Sequence, residues 1–328
     1  MPSDTDGARE FQRHRPRLFA LAYRMLGSAT EAEDAVQDTY LRWHEADREN
    51  IGTPVAWLTT VVTNLCRNRL TSARAQRERY PGPWLPEPVA TGPGADHGLG
   101  PLETTEQRES VSLGLLALME RLSPSERAVF VLHEAFDHDH REIAAILDVN
   151  EPSSRQLLRR ARQRLAEQRP RYDPAPQAWR QVVELFLAAA NGGDLTELEQ
   201  RLADDVVAYA DGGGRVAAAR RPVEGRDLVG RYLNGFLRNG ARLYELAVAA
   251  PGTAMEMRRR PAGRPLAVLT PIEVNALPAL LVLVDGTPAM VQQFQLRAGE
   301  VATIHTIANP DKLGFLTTQL RTAPLGVT

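Results

Sequence analysis

Residues 138–165 read HDHREIAAILDVNEPSSRQLLRRARQRL. Three pieces follow one another here: a short helix over His140–Leu147, a turn at Asp148-Val149-Asn150, and a longer, strongly basic helix over Glu151–Gln168. Ile143, Ala144 and Leu147 recur at the spacing of a buried helix face. In a helix-turn-helix the second helix lies in the major groove with its N-terminal residues at the base edges. Those residues are Pro152, Ser153, Arg155 and Gln156, and Arg and Gln are the side chains that pair bidentately with guanine and adenine. Arg159, Arg160 and Arg162 follow at positions suited to phosphates. A solvated basic face gives the same local pattern, so the flanking sequence has to decide. Asp137-His138-Asp139-His140 reads as a polar loop and helix start rather than a metal site.

Upstream, Ser123-Pro124-Ser125-Glu126 is a helix start with Ser123 as N-cap, Pro124 at the first helical position and Glu126 closing a capping box. Leu113, Leu116, Leu118, Met119 and Leu122 form an apolar stripe before it, which makes 103–171 a second all-helical module. The first module, 1–80, has the same character. Phe11, Leu18, Leu21, Ala22, Met25 and Leu26 lie on one helix ended by Gly27. Ser28 or Thr30 caps a second helix, Thr30 having capping-box spacing to Glu33. Pro54 opens a third helix, with Trp57, Leu58, Val61, Val62, Leu65 and Leu70. Residues 81–102 are rich in Pro and Gly and read as a linker. Trp84-Leu85-Pro86-Glu87-Pro88 gives it large apolar side chains that a plain spacer does not need, so docking is expected.

Formal net charge is only −2, which conceals the distribution. Arg155 to Arg171 holds seven arginines against one acid, and Arg67 to Arg79 five against one. Locally basic segments of this kind point to nucleic acid. Trp57, Asn64, Arg67, Asn68, Arg69 and Arg74 share one helical stretch, a mixture suited to unstacked bases and a single-strand backbone; Trp57 taken alone reads rather as core. The second helix is acidic through Glu31, Glu33, Asp34 and Asp38, which suits a protein partner rather than phosphates. A single cysteine, Cys66, excludes an internal disulfide and a Cys-rich metal site, and reads as a small buried hydrophobe. With no apolar run near the ~20 residues of a membrane span and no signal-like start, a cytoplasmic protein is expected.

After a short second linker, Pro170–Pro176, the pattern changes. Residues 177–318 open with an amphipathic helix over Ala178–Ala190, a short helix over Leu195–Leu202, and then mostly β signals: Val206–Ala210, Leu243–Ala249, Ala279–Val284, Ala289–Leu296 and Val301–Ile307, with a helix near Gly230–Leu237. This reads as α+β, a curved antiparallel sheet wrapped on helices. Pro251–Pro265 reads as a long loop.

The run Tyr23–Ser28 followed by Glu33–Trp43 resembles region 2 of bacterial sigma factors of the extracytoplasmic-function type. Pro54–Leu58 with Asn64–Leu70 is similar to the promoter-melting part of that region, and Ser123–Arg164 resembles region 4. Trp84–Pro88, Asp211-Gly212-Gly213-Gly214-Arg215 and Asn309-Pro310-Asp311-Lys312-Leu313 resemble the marks of a subgroup with a SnoaL-like, cone-shaped C-terminal domain. The resemblance implies a sigma factor, not an enzyme, without a cofactor, whose partners are core RNA polymerase (β′ clamp and β flap) and promoter DNA. Asp34, Gln37, Asp38 and Leu41 would bind the polymerase. Trp57, Asn64, Arg67, Asn68, Arg69 and Arg74 would engage the −10 element, and Pro152, Ser153, Arg155, Gln156, Arg159 and Arg160 the −35 element. The three subgroup motifs would touch one another and modulate activity in cis. A small-molecule ligand of the third domain is compatible with this and not required by it. Two departures stand out: Arg215 replaces a lysine common in the family, and Ser154 occupies a recognition-helix position that relatives often give to an apolar residue. Two other readings remain open on sequence: a helix-turn-helix regulator that does not bind core polymerase, and a bifunctional protein with an enzymatic third domain using Asp211, His305 or Asp311.

Overall fold

In the computed structural model, residues 4–322 are described apart from 78, 93–94, 96–97, 100–101, 103, 167–175, 193, 244 and 249–264. The loop expected at Pro251–Pro265 and most of the second linker lie outside the described residues. The chain forms two compact units: Met1–Arg79 with His97–Arg169, and Tyr80–Asp96 with Pro170–Thr328.

The first unit is helical. Helices α1 (Asp4–Leu26), α2 (Ala29–Glu45) and α3 (Pro54–Arg77) pack together around Leu18, Phe19, Tyr23, Leu26, Leu58 and Val62. Ser28 caps α2, its side chain accepting from Glu31 N–H at 3.1 Å; of the two candidates the earlier one is used, because α2 begins at Ala29 and Thr30 already lies inside it. Helices α4 (Thr105–Glu109) and α5 (Leu113–Leu118), the latter continued by a 3-10 turn, lead into α6 (Pro124–Phe136). The Ser123/Glu126 capping box forms in both directions, at 3.3 and 2.9 Å. Then come α7 (His140–Leu147) and α8 (Glu151–Ala166), the short-turn-long order read from sequence. Asp139 caps α7, so its carboxylate serves the helix start; Asp148, at φ +54°, makes the left-handed turn into α8. Ile143, Ala144, Ile146, Leu147, Leu158, Ala161 and Leu165 seal these helices together.

The second unit is α+β. Its elements are α9 (Pro176–Gly192), α10 (Thr196–Glu199), β1 (Leu202–Asp211), β2 (Val223–Glu224), α11 (Arg226–Leu243), β3 (Glu245–Val248), β4 (Leu266–Val274), β5 (Leu277–Val284), β6 (Thr287–Arg297), β7 (Glu300–Ile307), a 3-10 turn at Pro310–Lys312 and α12 (Gly314–Thr322). The seven strands run in the order β2-β1-β7-β6-β5-β4-β3. The sheet is mixed, not wholly antiparallel: β1–β7 and β3–β4 pair parallel. The hairpins β4–β5–β6–β7 alternate direction, whereas β1 and β3 join them through helices or long excursions, the kind of connection parallel strands need. Strand β4 was hidden in the sequence by Pro271. Pro271, which has no N–H to donate, stands opposite Leu280 of β5. Helices α9 and α11 pack Val182, Phe186, Val229, Leu233 and Leu237 on Ala208, Phe294, Leu296 and Ile304 of one sheet face.

Candidate functional site

On α2 the side chains at 34, 37 and 41 are exposed, with Leu41 52% accessible and Asp38 half-buried beside them, so one helical stripe carries acid, amide and an uncovered apolar group. Asp34 and Asp38 are also paired: Arg69 of α3 binds Asp38 at 2.7 Å and approaches Asp34 at 3.8 Å. Arg69 thereby ties the acidic helix to the arginine-rich one, a role the sequence reading, which assigned it only to DNA, had missed.

Asn68 on α3 is exposed. Asn64 accepts from Arg67 at 3.1 Å, and Arg67 also donates to the Leu147 carbonyl (3.5 Å) and the Ser125 hydroxyl (3.4 Å). The candidate strand-binding arginine is thus held by the helix-turn-helix module. Trp57 is half-buried with its ring 5.7 Å from that of Trp43, between the two readings given to it. Arg74 lies on α3, but its side chain is outside the described residues. Near the end of α3, Arg77 and the buried Arg127 of α6 share Glu120. Burial lowers the Arg127 pKa and Glu120 opposes that, as expected for a buried cation that needs its carboxylate. Cys66 is fully buried and its thiol is pushed up to about 12 by burial, leaving it an unreactive core residue.

Along α8, Pro152, Arg155, Gln156, Arg159 and Arg160 are exposed, and Ser153 is partly so. Several of the arginines have intramolecular partners: Arg155 with Glu151 (2.7 Å), Arg162 with Glu134 (2.6 Å), and Arg160 and Arg164 with Glu126 (3.6 and 2.6 Å). Glu126 therefore serves the capping box and the seam between α6 and α8 together.

The second unit brings its three motifs to one point. Asp211 ends β1 with its carboxylate fully buried. One oxygen accepts from Tyr80 Oη (2.5 Å) and Gly213 N–H (3.1 Å); the other accepts from Leu85 N–H (2.9 Å) and Lys312 Nζ (2.6 Å). Lys312 also donates to the Leu85 carbonyl and lies 4.0 Å over the Trp84 ring and 4.8 Å over that of Tyr80. Asn309 donates to Tyr80 Oη at 2.9 Å. The Tyr80 phenol is raised above its usual pKa, first by burial and then by Asp211, so it stays a donor. Gly213 sits at φ +59°, and a Cβ there would run into the Asn309 side chain. Leu85, Pro86, Glu87 and Pro88 are buried, as is Leu313. Gly212 and Gly214 complete the turn, Gly212 accepting from Arg215 N–H, and Pro310 opens the 3-10 turn. Arg215 and Asp311 pair with each other at 3.2 Å on the surface, so the departure from lysine falls in an exposed ion pair of modest worth, ~0–1 kcal/mol.

A second clasp, which no motif announced, holds the next residues. Val89 exchanges hydrogen bonds with Asn275, its N–H to Oδ1 (3.0 Å) and its carbonyl from the Asn275 N–H (2.9 Å). Ala90 does the same with the Gln319 amide. Thr91 donates to Glu273 from backbone and hydroxyl and accepts from Ala276 N–H. Asn275 and Ala276 form the left-handed two-residue turn between β4 and β5 (φ +53° and +60°). An Asn between apolar runs was the available signal.

Two helical modules ending in a basic helix-turn-helix, with an α+β domain gripping part of the segment between them, define a multidomain transcription factor. The family models agree: Sigma-70 region 2 matches residues 11–76 and Sigma-70 region 4 residues 112–165. The chain is 36% identical to the Mycobacterium tuberculosis ECF RNA polymerase sigma factor SigJ, over 97% of this chain and 96% of that one. It is 31% identical to the probable ECF sigma factor SigI of the same species, over 94% of each. The crystal structure of SigJ superposes with a TM-score of 0.69 over 97% of this chain and 99% of that one, at 32% identity. The chain belongs to the extracytoplasmic-function RNA polymerase sigma factors, in the subgroup with a C-terminal SnoaL-like domain. Among the described residues no helix is long and apolar enough to cross a membrane.

Proposed function

We propose that the C-terminal domain of this sigma factor regulates it in cis by holding the segment that joins its two helical modules. Asp34, Gln37, Asp38 and Leu41 dock on the β′ clamp of core RNA polymerase, with region 4 on the β flap. Asn64, Arg67, Asn68, Arg69 and Arg74, with Trp57, take the opened −10 strand, and α8 reads the −35 duplex from Pro152 to Arg160. The work is recognition rather than catalysis, carried out in the cytoplasm where core polymerase is found. Asp211 and Asp311, candidates for acid–base chemistry, are instead engaged by Lys312, Tyr80 and Arg215.

The observation that carries this reading is the buried Asp211 carboxylate, shared by Leu85, Tyr80 and Lys312. Promoter elements centred ~25 base pairs apart lie about 85 Å apart along B-DNA at ~3.4 Å per pair. Arg67 meanwhile touches the Leu147 carbonyl of the other module. The modules must part to span a promoter, and the direction and slack of the connection depend on whether Tyr80–Thr91 is docked. A ligand of the third domain would act only by binding the docked and undocked forms unequally.

The test is run-off transcription with core RNA polymerase. Full-length protein, a chain ending at Arg171 and the Trp84→Ala variant are compared on the promoter of the protein's own gene. The proposal expects core-dependent initiation whose level changes in both altered proteins. Unchanged initiation in both would discard regulation by docking.

A further inference from the structure

We infer that His140 is a positioning residue for −35 recognition, acting through Ser154 to set how the N-terminal end of α8 is presented to DNA. The inference rests on the reading of α8 as the −35 helix and names a determinant outside its DNA-facing side chains. Ser154 lies in the first turn of α8, between Ser153 and Arg155, and is completely buried. A buried hydroxyl must find a partner, and a serine where an apolar group could pack is costly without one. The partner is His140 Nδ1, at 2.9 Å, from the first residue of α7. The His140 ring in turn meets the His133 ring of α6 edge-on, with centroids 5.1 Å apart and planes at 75°. Three helices of the reading module are thus joined at the end of α8 that faces the bases.

The geometry makes this pin directional. Successive residues of a helix are about 100° apart around its axis, so fixing Ser154 inward sends Ser153 and Arg155 to either side and carries Gln156 with them. Apolar packing would permit a small rotation or slide, whereas a hydrogen bond weakens steeply with distance and angle. The surroundings favour a neutral His140 with Nδ1 as the acceptor: burial, His133 of α6, and Arg155 and Arg162 of α8 disfavour its cation, while Glu151 of α8 opposes them. Neither His140 nor Ser154 needs to touch DNA for this.

The experiment uses full-length protein with core polymerase and measures initiation on its promoter and on single-base variants of the −35 element. Ser154→Ala removes the buried hydroxyl and leaves His140 Nδ1, on a ring that is only partly buried, to water, so the variant should fold. His140→Leu removes the acceptor, and His140→Asn keeps a polar atom near the position of Nδ1. Thermal melts accompany all three, with Arg155→Ala and Gln156→Ala as controls. Correct placement of a bidentate base contact supports discrimination on the order of ten- to a hundredfold. The expected result is a loss of about five- to tenfold in discrimination for Ser154→Ala and His140→Leu, recovered in His140→Asn, at unchanged affinity for core polymerase. If His140→Leu fails to fold, Ser154→Ala and His140→Asn decide alone. Wild-type discrimination in a folded Ser154→Ala protein, with the two controls impaired, overturns this inference and leaves the α8 reading standing. Controls without effect overturn the α8 reading and the inference with it.

Discussion

Replacing Lys312 by Met removes the cation beside a carboxylate that has no solvent exposure. Breaking a buried ion pair from one side costs ~3–5 kcal/mol because it leaves an uncompensated charge. The lower end applies to the pair itself, since Asp211 retains Tyr80, Leu85 N–H and Gly213 N–H as donors. Loss of the cation over the Trp84 and Tyr80 rings adds ~1 kcal/mol, for a total of about 4 kcal/mol. Asp211→Asn strands the Lys312 ammonium in the same way and should cost about 3 kcal/mol. The double variant has no stranded charge, so its cost should fall short of the sum by about 3 kcal/mol, a large coupling for residues in contact. The effect should appear as undocking of the linker before global unfolding, because a short strap opens at lower free energy than the whole domain. Amide hydrogen exchange at Leu85, whose N–H is bound to Asp211, reads it directly: about 3 kcal/mol is a hundredfold faster exchange. Exchange within threefold of wild type in both single variants, or additive effects in the double, would refute the argument that this ion pair holds the linker.

Other consequences are simpler. Gly213→Ala must hold φ +59° and drive its Cβ into Asn309, so it should loosen Tyr80 by more than the ~1–2 kcal/mol of backbone strain alone, read as faster proteolysis between Tyr80 and Thr91. Ser123→Ala opens the capping box at the start of α6 and should lower stability by ~1 kcal/mol in denaturant titration. The pH dependence of stability follows from two histidines, His140 held below its usual pKa and His305 pushed down by burial to about 4. Both take a proton more readily unfolded, so their contribution is present above pH ~6.5 and is lost as pH falls below it. Melts of wild type and His140→Asn at pH 8 and 5.5 should show a smaller acid loss in the variant; equal losses would remove His140 from the account.

Local chemistry made much of this protein legible. The α7–turn–α8 segment could be read because its signals are short-range: a cap at Asp139, a left-handed turn at Asp148 and a buried stripe through Ile143 and Leu147. The Ser123 capping box is of the same kind, and the concentration of arginines in two segments suggested nucleic acid despite near-neutral net charge. The apolar linker residues Trp84 and Leu85 suggested docking, and the resemblance of the Asp211 and Asn309 motifs to the marks of the family subgroup suggested where. β4 was obscured because Pro271 is normally a strand breaker, and its place in the strand is decided by pairing with distant residues such as Leu280.

Sequence by itself determined the helical modules, the helix-turn-helix order and the α+β character of the third domain. Each depends on residues a few positions apart, where periodicity and capping are set by the backbone; the family was legible separately, through the resemblance of motifs spread along the chain. Tertiary structure alone decided the parallel pairing of β1 with β7, the second clasp at Val89–Thr91, the capture of Arg67 by the Leu147 carbonyl, the Arg69 tie to Asp38 and the His140–Ser154 pin. Most of these join groups far apart in the chain. Such contacts are selected by geometry and by the need of buried polar groups for a partner, and neither leaves a local pattern to read.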